Sequence, residues 1–278
     1  MKKILVPVDF SNHSEYALKV AATLAKRHDA EIILLHMLGL SQAILTKNEG
    51  QEVAEAIYYM KLAKKRFGDI KSHAFLDEIS VSEIVQNYKD FNEINEVAND
   101  QGVDIIIMGS HGSKGLSEVF VGSNTEKVVR TSDIPVLVIK KEITDFMLDR
   151  VVFACDFKTE NVLAYRKAMR LFQLLGAAVD LVYVNLPGTA FKSSTQIDQR
   201  AEEFLTIADF DAPIRPDEVV YLNGYSIEQA IFDYAYKAGA DALAIPTHGR
   251  RGLAHFFNGS IGEDIANHAE LPVFTFKI

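Results

Sequence analysis

Glycines at fixed intervals can bring main-chain N–H groups against an anion, and this chain carries one such spacing twice. Gly109-Ser110-His111-Gly112 is followed, ten residues past Gly112, by Gly122-Ser123-Asn124. Pro246-Thr247-His248-Gly249 is followed after the same interval by Gly259-Ser260. A Gly-Ser step that leads into a helix aims free N–H groups outward, which suits a phosphate. The copies differ where that chemistry is most sensitive. Pro246 stands in place of Gly109, removing an N–H and excluding positive φ. In the other direction, Arg250 and Arg251 leave the second loop positive, whereas Lys114 and Glu118 cancel in the first. The expectation is a nucleotide loop in the first copy, and a second copy that holds a phosphate or nucleotide more weakly or in another pose.

A purine site also needs a polar group for the base and main-chain groups in its plane. Asp9 ends the apolar run Ile4-Leu5-Val6-Pro7-Val8, and Asp156 ends Val151 to Cys155. Either carboxylate can accept from an exocyclic amine, or can cap the helix that follows. The main chain around Met37, with Val184 as its counterpart, can read a base edge. Ser123-Asn124-Thr125-Glu126 and Ser260-Ile261-Gly262-Glu263 both read as capping boxes, so a phosphate would compete with Ser123 and Glu126 for the helix-start donors. His111 and His248 each stand among small or apolar residues, short of the ligand set of a zinc site, and structural or ribose-edge roles are expected for them. Neither a P-loop nor a dinucleotide-type glycine motif is present. For hydrolysis, only Lys114, His111 and Glu126 lie near the loop, and they form no recognisable catalytic constellation. A slow ATPase or phosphotransferase, and a partner-binding module without nucleotide, are the alternatives.

The elements that must position these residues recur in the same order in both halves. A short apolar strand leads to a helix with apolar positions Ala17, Leu18, Ala21, Ala22 and Ala25, or Ala164, Ala168, Leu171, Phe172 and Leu175. Further strands follow at 32–37 and 179–184, near 81–86 and 219–222, at 104–108 and 241–245, and at 135–139 and 272–276. Helices carrying Ile94 and Ala98, or Ile231 and Ala235, fall between them. Strands alternating with helices, with apolar runs fit for burial on both faces, indicate two open five-stranded parallel sheets covered by helices. The expected domains are 1–141 and 150–278, packed together because nothing between Lys141 and Arg150 resembles a flexible linker. In such sheets ligands bind beyond the carboxyl ends of the strands, where Asp9, Met37 and the Gly109 loop are expected to lie.

The composition narrows the partners. A formal net charge of -9 over 278 residues argues against nucleic acid and anionic membrane surfaces. The N-terminal apolar run stops at Asp9, too soon for a signal peptide or a span, so a cytoplasmic location is expected. Cys155 is the single cysteine, which excludes an intrachain disulfide, and its apolar surroundings predict a buried, inert thiol.

Residues 109–123 resemble the Gly-x-x-Gly-(nine)-Gly-Ser motif of the universal stress protein family. So do Val6-Pro7-Val8-Asp9-Phe10-Ser11, Asp104 to Gly112, and Ile134 to Ile139, and the resemblance covers nearly the whole chain twice. It implies a Rossmann-like, adenine nucleotide α-hydrolase-like fold, with the two halves packed as a pseudo-dimer through their last strands and further homodimerisation left open. It implies ATP, or ADP or AMP, as ligand, with magnesium arriving on the phosphates, in a stress-response protein acting as a regulatory or sensor module. By position, Pro7, Val8 and Asp9 would border the adenine, and the Met37 main chain would face it. Gly109, Ser110, His111 and Gly112 would approach ribose and phosphate, and Gly122, Ser123 and Asn124 would hold the terminal phosphates. The weaker counterparts are Asp156, Val184, Gly249, Arg250, Gly259 and Ser260.

Overall fold

The computed structural model describes residues 1–38, 49–87, 92–110, 123–208, 214–247 and 271–278. The first half contributes β1 (Lys3–Pro7), α1 (Asn12–His28), β2 (Glu31–Leu38), α2 (Glu49–Lys71), β3 (Val81–Asn87), α3 (Asn92–Asp100), β4 (Ile105–Gly109), α4 (Ser123–Thr131) and β5 (Val136–Ile139). The second contributes β6 (Arg150–Ala154), α5 (Val162–Leu175), β7 (Ala178–Asn185), α6 (Ser194–Ala208), β8 (Val220–Asn223), α7 (Ile227–Ala238), β9 (Ala242–Thr247) and β10 (Val273–Lys277).

The five strands of each half are parallel, as expected, but the two sets do not stay apart. They join edge to edge in one ten-stranded sheet of order β3-β2-β1-β4-β5-β10-β9-β6-β7-β8. The seam is the antiparallel pair β5 and β10, with Val138 opposite Val273, Leu137 opposite Phe274 and Val136 opposite Thr275. Successive strand residues face opposite sides, so Ile4 and Val6 enter one core while Leu5 enters the other. The first core gathers the inner faces of α1, α2, α5 and α6, and the second those of α3, α4 and α7. Each core crosses the seam, and burial on both faces explains why the central strands read as unbroken apolar runs.

Side chains reinforce the seam. The Phe274 ring packs edge-on against Phe172 of α5 at 5.1 Å. Lys277 Nζ donates to Asp133 Oδ1 at 3.0 Å and to the Thr131 carbonyl at 3.2 Å. The Lys277 hydrogen bond holds the Asp133 carboxyl below its ordinary range. A repeated aspartate aligns the first strand of each half. Asp104 Oδ2 accepts from the Lys2 and Lys3 N–H groups at 2.5 and 3.0 Å, and Asp241 Oδ2 from those of Asp149 and Arg150 at 2.8 and 2.9 Å.

Candidate functional site

β1 lies between β2 and β4, and β6 between β7 and β9, so each half has one point where the connections leave in opposite directions. In open α/β sheets that point opens a crevice at the carboxyl ends of the strands. In the first half it is bordered by Pro7 at the end of β1, by Val8 and Asp9 just after it, and by Gly109 and Ser110 at the end of β4.

Asp9 does not cap α1. Its Oδ1 accepts from the Ser11 N–H at 3.0 Å and from the Ser11 hydroxyl at 2.6 Å, and Ser11 is the cap, accepting from the Ser14 N–H at 3.3 Å. The carboxylate is exposed, and the turn it closes is unusual. Phe10 has φ 64°, a left-handed conformation that a bulky residue adopts only against steric cost. Its ring is held by His36 at 4.4 Å and Phe67 at 5.6 Å, and His36 Nδ1–H in turn donates to the Val8 carbonyl at 2.7 Å. The second half repeats the device. Phe157 has φ 55°, stacks on Tyr183 with ring centroids 5.6 Å apart, and meets Phe204 at 5.5 Å. Sequence reasoning missed this aromatic anchor, and the recurrence of Asp-Phe at 9–10 and 156–157 was the signal that could have found it.

Gly109 lies against the start of α1. A Cβ there would collide with the His13 carbonyl and sit 2.9 Å from the Ser14 nitrogen, so no side chain fits. The direction of its N–H follows from the ladder. The N–H groups of Ile106 and Ser110 donate to the Pro135 and Ile139 carbonyls on the β5 side, so by alternation that of Gly109 faces β1 and the crevice. Thr125, buried in α4, donates its hydroxyl to the Gly109 carbonyl at 3.1 Å and ties α4 to the strand end. This anchor was also missed.

The other expected residues divide as follows. Met37 lies within β2, one residue before its end and opposite Gln86 of β3, so it is a strand residue and does not lie beyond the strand. Val184 likewise lies within β7, opposite Leu222. Ser110 is buried at the strand end. Ser123 and Asn124 form the first turn of α4, as a Gly-Ser helix start requires. His111, Gly112, Gly122, Gly249, Arg250, Gly259 and Ser260 lie outside the described residues.

The second crevice is built differently. Pro246 does not open a loop; it is a residue of β9, opposite Phe276, and Thr247 continues the strand. The Leu243 N–H donates toward β10, which puts the Pro246 nitrogen on the β6 side, where pairing has already ended at Ala244. The missing donor therefore costs no ladder bond, and it is absent from the crevice, where Gly109 has one. Lys158 occupies the position of Ser11 and cannot cap as the serine does. A 3-10 turn at Thr159–Asn161 precedes α5 there. Asp156 is engaged from within, accepting from the Lys158 N–H at 3.1 Å, from Asn161 Nδ2 at 2.5 Å and from Lys158 Nζ at 2.7 Å. The bond to Asp156 holds the Lys158 ammonium above its ordinary range. The crevice, of about 180 Å³, is walled by Val182, Val184, Ile231, Pro246 and Ile278. The buried Asn161 Oδ1 has no hydrogen-bond partner among the described residues and remains as an acceptor at its polar end.

Cys155 is buried, and burial pushes its thiol up to about 12, so the thiolate nucleophile does not form near neutrality. Among the described residues no group of His, Cys, Asp and Glu could hold a metal ion, and no helix is long and apolar enough to cross a membrane.

Comparison with known proteins agrees with this architecture. The model of the universal stress protein family matches residues 1–140 and again 147–277. A universal stress protein of Methanocaldococcus jannaschii is 37% identical over 155 residues, which is 51% of this chain and 96% of that protein. The protein YxiE of Bacillus subtilis is 31% identical over 146 residues, 50% of this chain and 98% of that one. Each of these relatives thus corresponds in length to half of the chain. A crystal structure of a universal stress protein from Archaeoglobus fulgidus superimposes over 99% of this chain and 96% of its own, with TM-score 0.68 at 21% identity, a likeness of fold. Two successive matches to one family model, on two halves of the same topology, show that the chain belongs to the universal stress protein family and carries its domain in tandem.

Proposed function

We propose that the protein binds an adenine nucleotide, ATP or a close relative, in the crevice of its first half, and that it serves as a regulatory or sensor module in a stress response. The observation that carries this reading is the contrast at the ends of β4 and β9. Gly109 directs an N–H into the first crevice and has no side chain to obstruct it, whereas Pro246 offers no donor to the second. In the proposed pose the exposed Asp9 carboxylate accepts from the exocyclic amine, and the Met37 main chain borders the base. Gly109 and Gly112 meet ribose and phosphate, and Gly122, Ser123 and Asn124 hold the terminal phosphates at the start of α4. Magnesium would be carried by those phosphates and water, since the described residues supply no acidic cluster for it.

The second crevice takes a phosphate-bearing ligand more weakly, because Asp156 is already engaged by Lys158 and Asn161. Titration calorimetry with ATP on the full chain tests the asymmetry, with Gly122→Val and Gly259→Val as the loop variants. The expected result is one dominant site that Gly122→Val removes. Two equal sites, each lost with one variant, would refute the asymmetry. An acid extract without nucleotide, together with no heat on titration, would refute the binding itself.

A further inference from the structure

On the sheet face covered by α1 and α2, the first half has a second cleft of about 290 Å³, which meets the crevice at Val8. Its floor is apolar, made by Phe10, Leu18 and Ile70, and its rim carries Arg66 and Asp69 from α2 and His73 from the turn that follows the helix. A spacing of three residues puts Arg66 and Asp69 on the same side of the helix. The Arg66 guanidinium lies over the Phe10 ring, 5.1 Å from its centroid, a cation–π contact that fixes the charge above the floor. Among the described residues neither Arg66 nor Asp69 forms an ion pair, although they are one turn apart. The other acid at the cleft, Glu15, is matched by Lys19 at 3.4 Å.

The second half closes the corresponding space. Tyr165 replaces Leu18 and is buried against Phe153 and Phe204, with ring centroids 5.9 and 5.3 Å away. Tyr183 replaces His36 and stacks on Phe157. The same fold can therefore fill this place with side chains, and among the described residues of the first half none does so.

An unmatched cation and an unmatched anion above an apolar floor complement a small zwitterion that has an apolar body. From this arrangement we infer that the cleft is a binding site for an amino-acid-like zwitterion. Its carboxylate meets the planar donors of Arg66, its ammonium meets Asp69, and its side chain covers Phe10, Leu18 and Ile70. The cleft adjoins the nucleotide crevice through Val8 and Ser11, but Arg66 and Asp69 take no part in the nucleotide pose proposed above.

Calorimetric titration of the full chain with L-leucine tests this, with N-acetyl-L-leucine and L-leucinamide as probes that each lack one charge. Saturable binding of leucine is expected, with both single-charge probes weaker by about tenfold, the loss of one charged hydrogen bond. Arg66→Gln and Asp69→Asn, both at exposed helix positions, should each weaken leucine by a similar factor; Asp69→Asn should leave the thermal stability of the protein unchanged, and Arg66→Gln should lower it only slightly, by loss of the cation–π contact with Phe10. No saturable binding of leucine, binding of leucinamide as strong as that of leucine, or unaltered leucine affinity in both variants would each overturn the assignment.

Discussion

Replacing Gly109 by alanine tests the close approach on which the first crevice depends. The added Cβ would collide with the His13 carbonyl group and stand 2.9 Å from the Ser14 nitrogen. These atoms are helix backbone, so no rotamer change relieves the contact, and the first turn of α1 must move. Forcing one extra carbon into a packed position costs about 1–3 kcal/mol. At about 2–4 °C per kcal/mol for a chain of this size, the melting midpoint should fall by about 2–12 °C. Gly68→Ala is the matched control. Gly68 sits within α2, and a Cβ there would meet nothing within 4 Å, so the same change should stabilise by about 0.5–1 kcal/mol. Scanning calorimetry on both variants therefore expects shifts of opposite sign. Because Ser11 and Asp9 are fastened to the turn that moves, ATP affinity should fall in Gly109→Ala and not in Gly68→Ala. A Gly109→Ala protein that melts at or above the parent temperature would refute the reasoning.

Native Cys155 should resist iodoacetamide at pH 8 and react once the chain is unfolded; rapid labelling of the folded protein would contradict its burial. Its folded pKa, about 12, lies above the ordinary 9.0, so the folded state keeps a proton that the unfolded chain releases. That contribution is fully present below about pH 9 and declines by up to about 1.4 kcal/mol per pH unit as the pH rises toward the folded value. Cys155→Ala should flatten this part of the alkaline stability curve, and an unchanged curve would count against it. Phe274→Ala, at a fully buried seam position, should cost about 3–5 kcal/mol and lower a single melting transition common to both halves. Two well-separated transitions would show that the continuous sheet does not couple them. Lys158→Ala should change stability by less than about 1 kcal/mol, as for an exposed pair. It should also strengthen the weaker ATP site by releasing Asp156 Oδ2, while Oδ1 stays bonded to Asn161, and calorimetry showing no change there would argue against a self-occupied second crevice.

The alternation of strands and helices was legible because the periodicity of apolar residues is a local property. Ile4 to Val6 and Ile105 to Ile107 announce strands buried on both faces wherever they are placed. The repeated glycine spacing, Asp9 and Asp156 were visible for the same reason, and so was the difference between Gly109 and Pro246. The meaning of that difference was not. Whether a proline opens a loop or sits harmlessly in a strand depends on where the neighbouring ladder stops, and here the pairing with β6 stops at Ala244. The left-handed turns at Phe10 and Phe157 ran against the intrinsic preference of the residue, and the tertiary contacts of their rings overrode it. Nor does a sequence show that Lys158 and Asn161 will reach Asp156, since side-chain partners are chosen by the shape of the helix start. The chain by itself determined which segments form strands and helices and which residues stand at the strand ends, because those follow from backbone geometry and periodic burial. Tertiary structure decided that β5 would pair with β10 into one sheet, which donors face each crevice and which carboxylate is already engaged, because these depend on contacts between residues far apart in sequence.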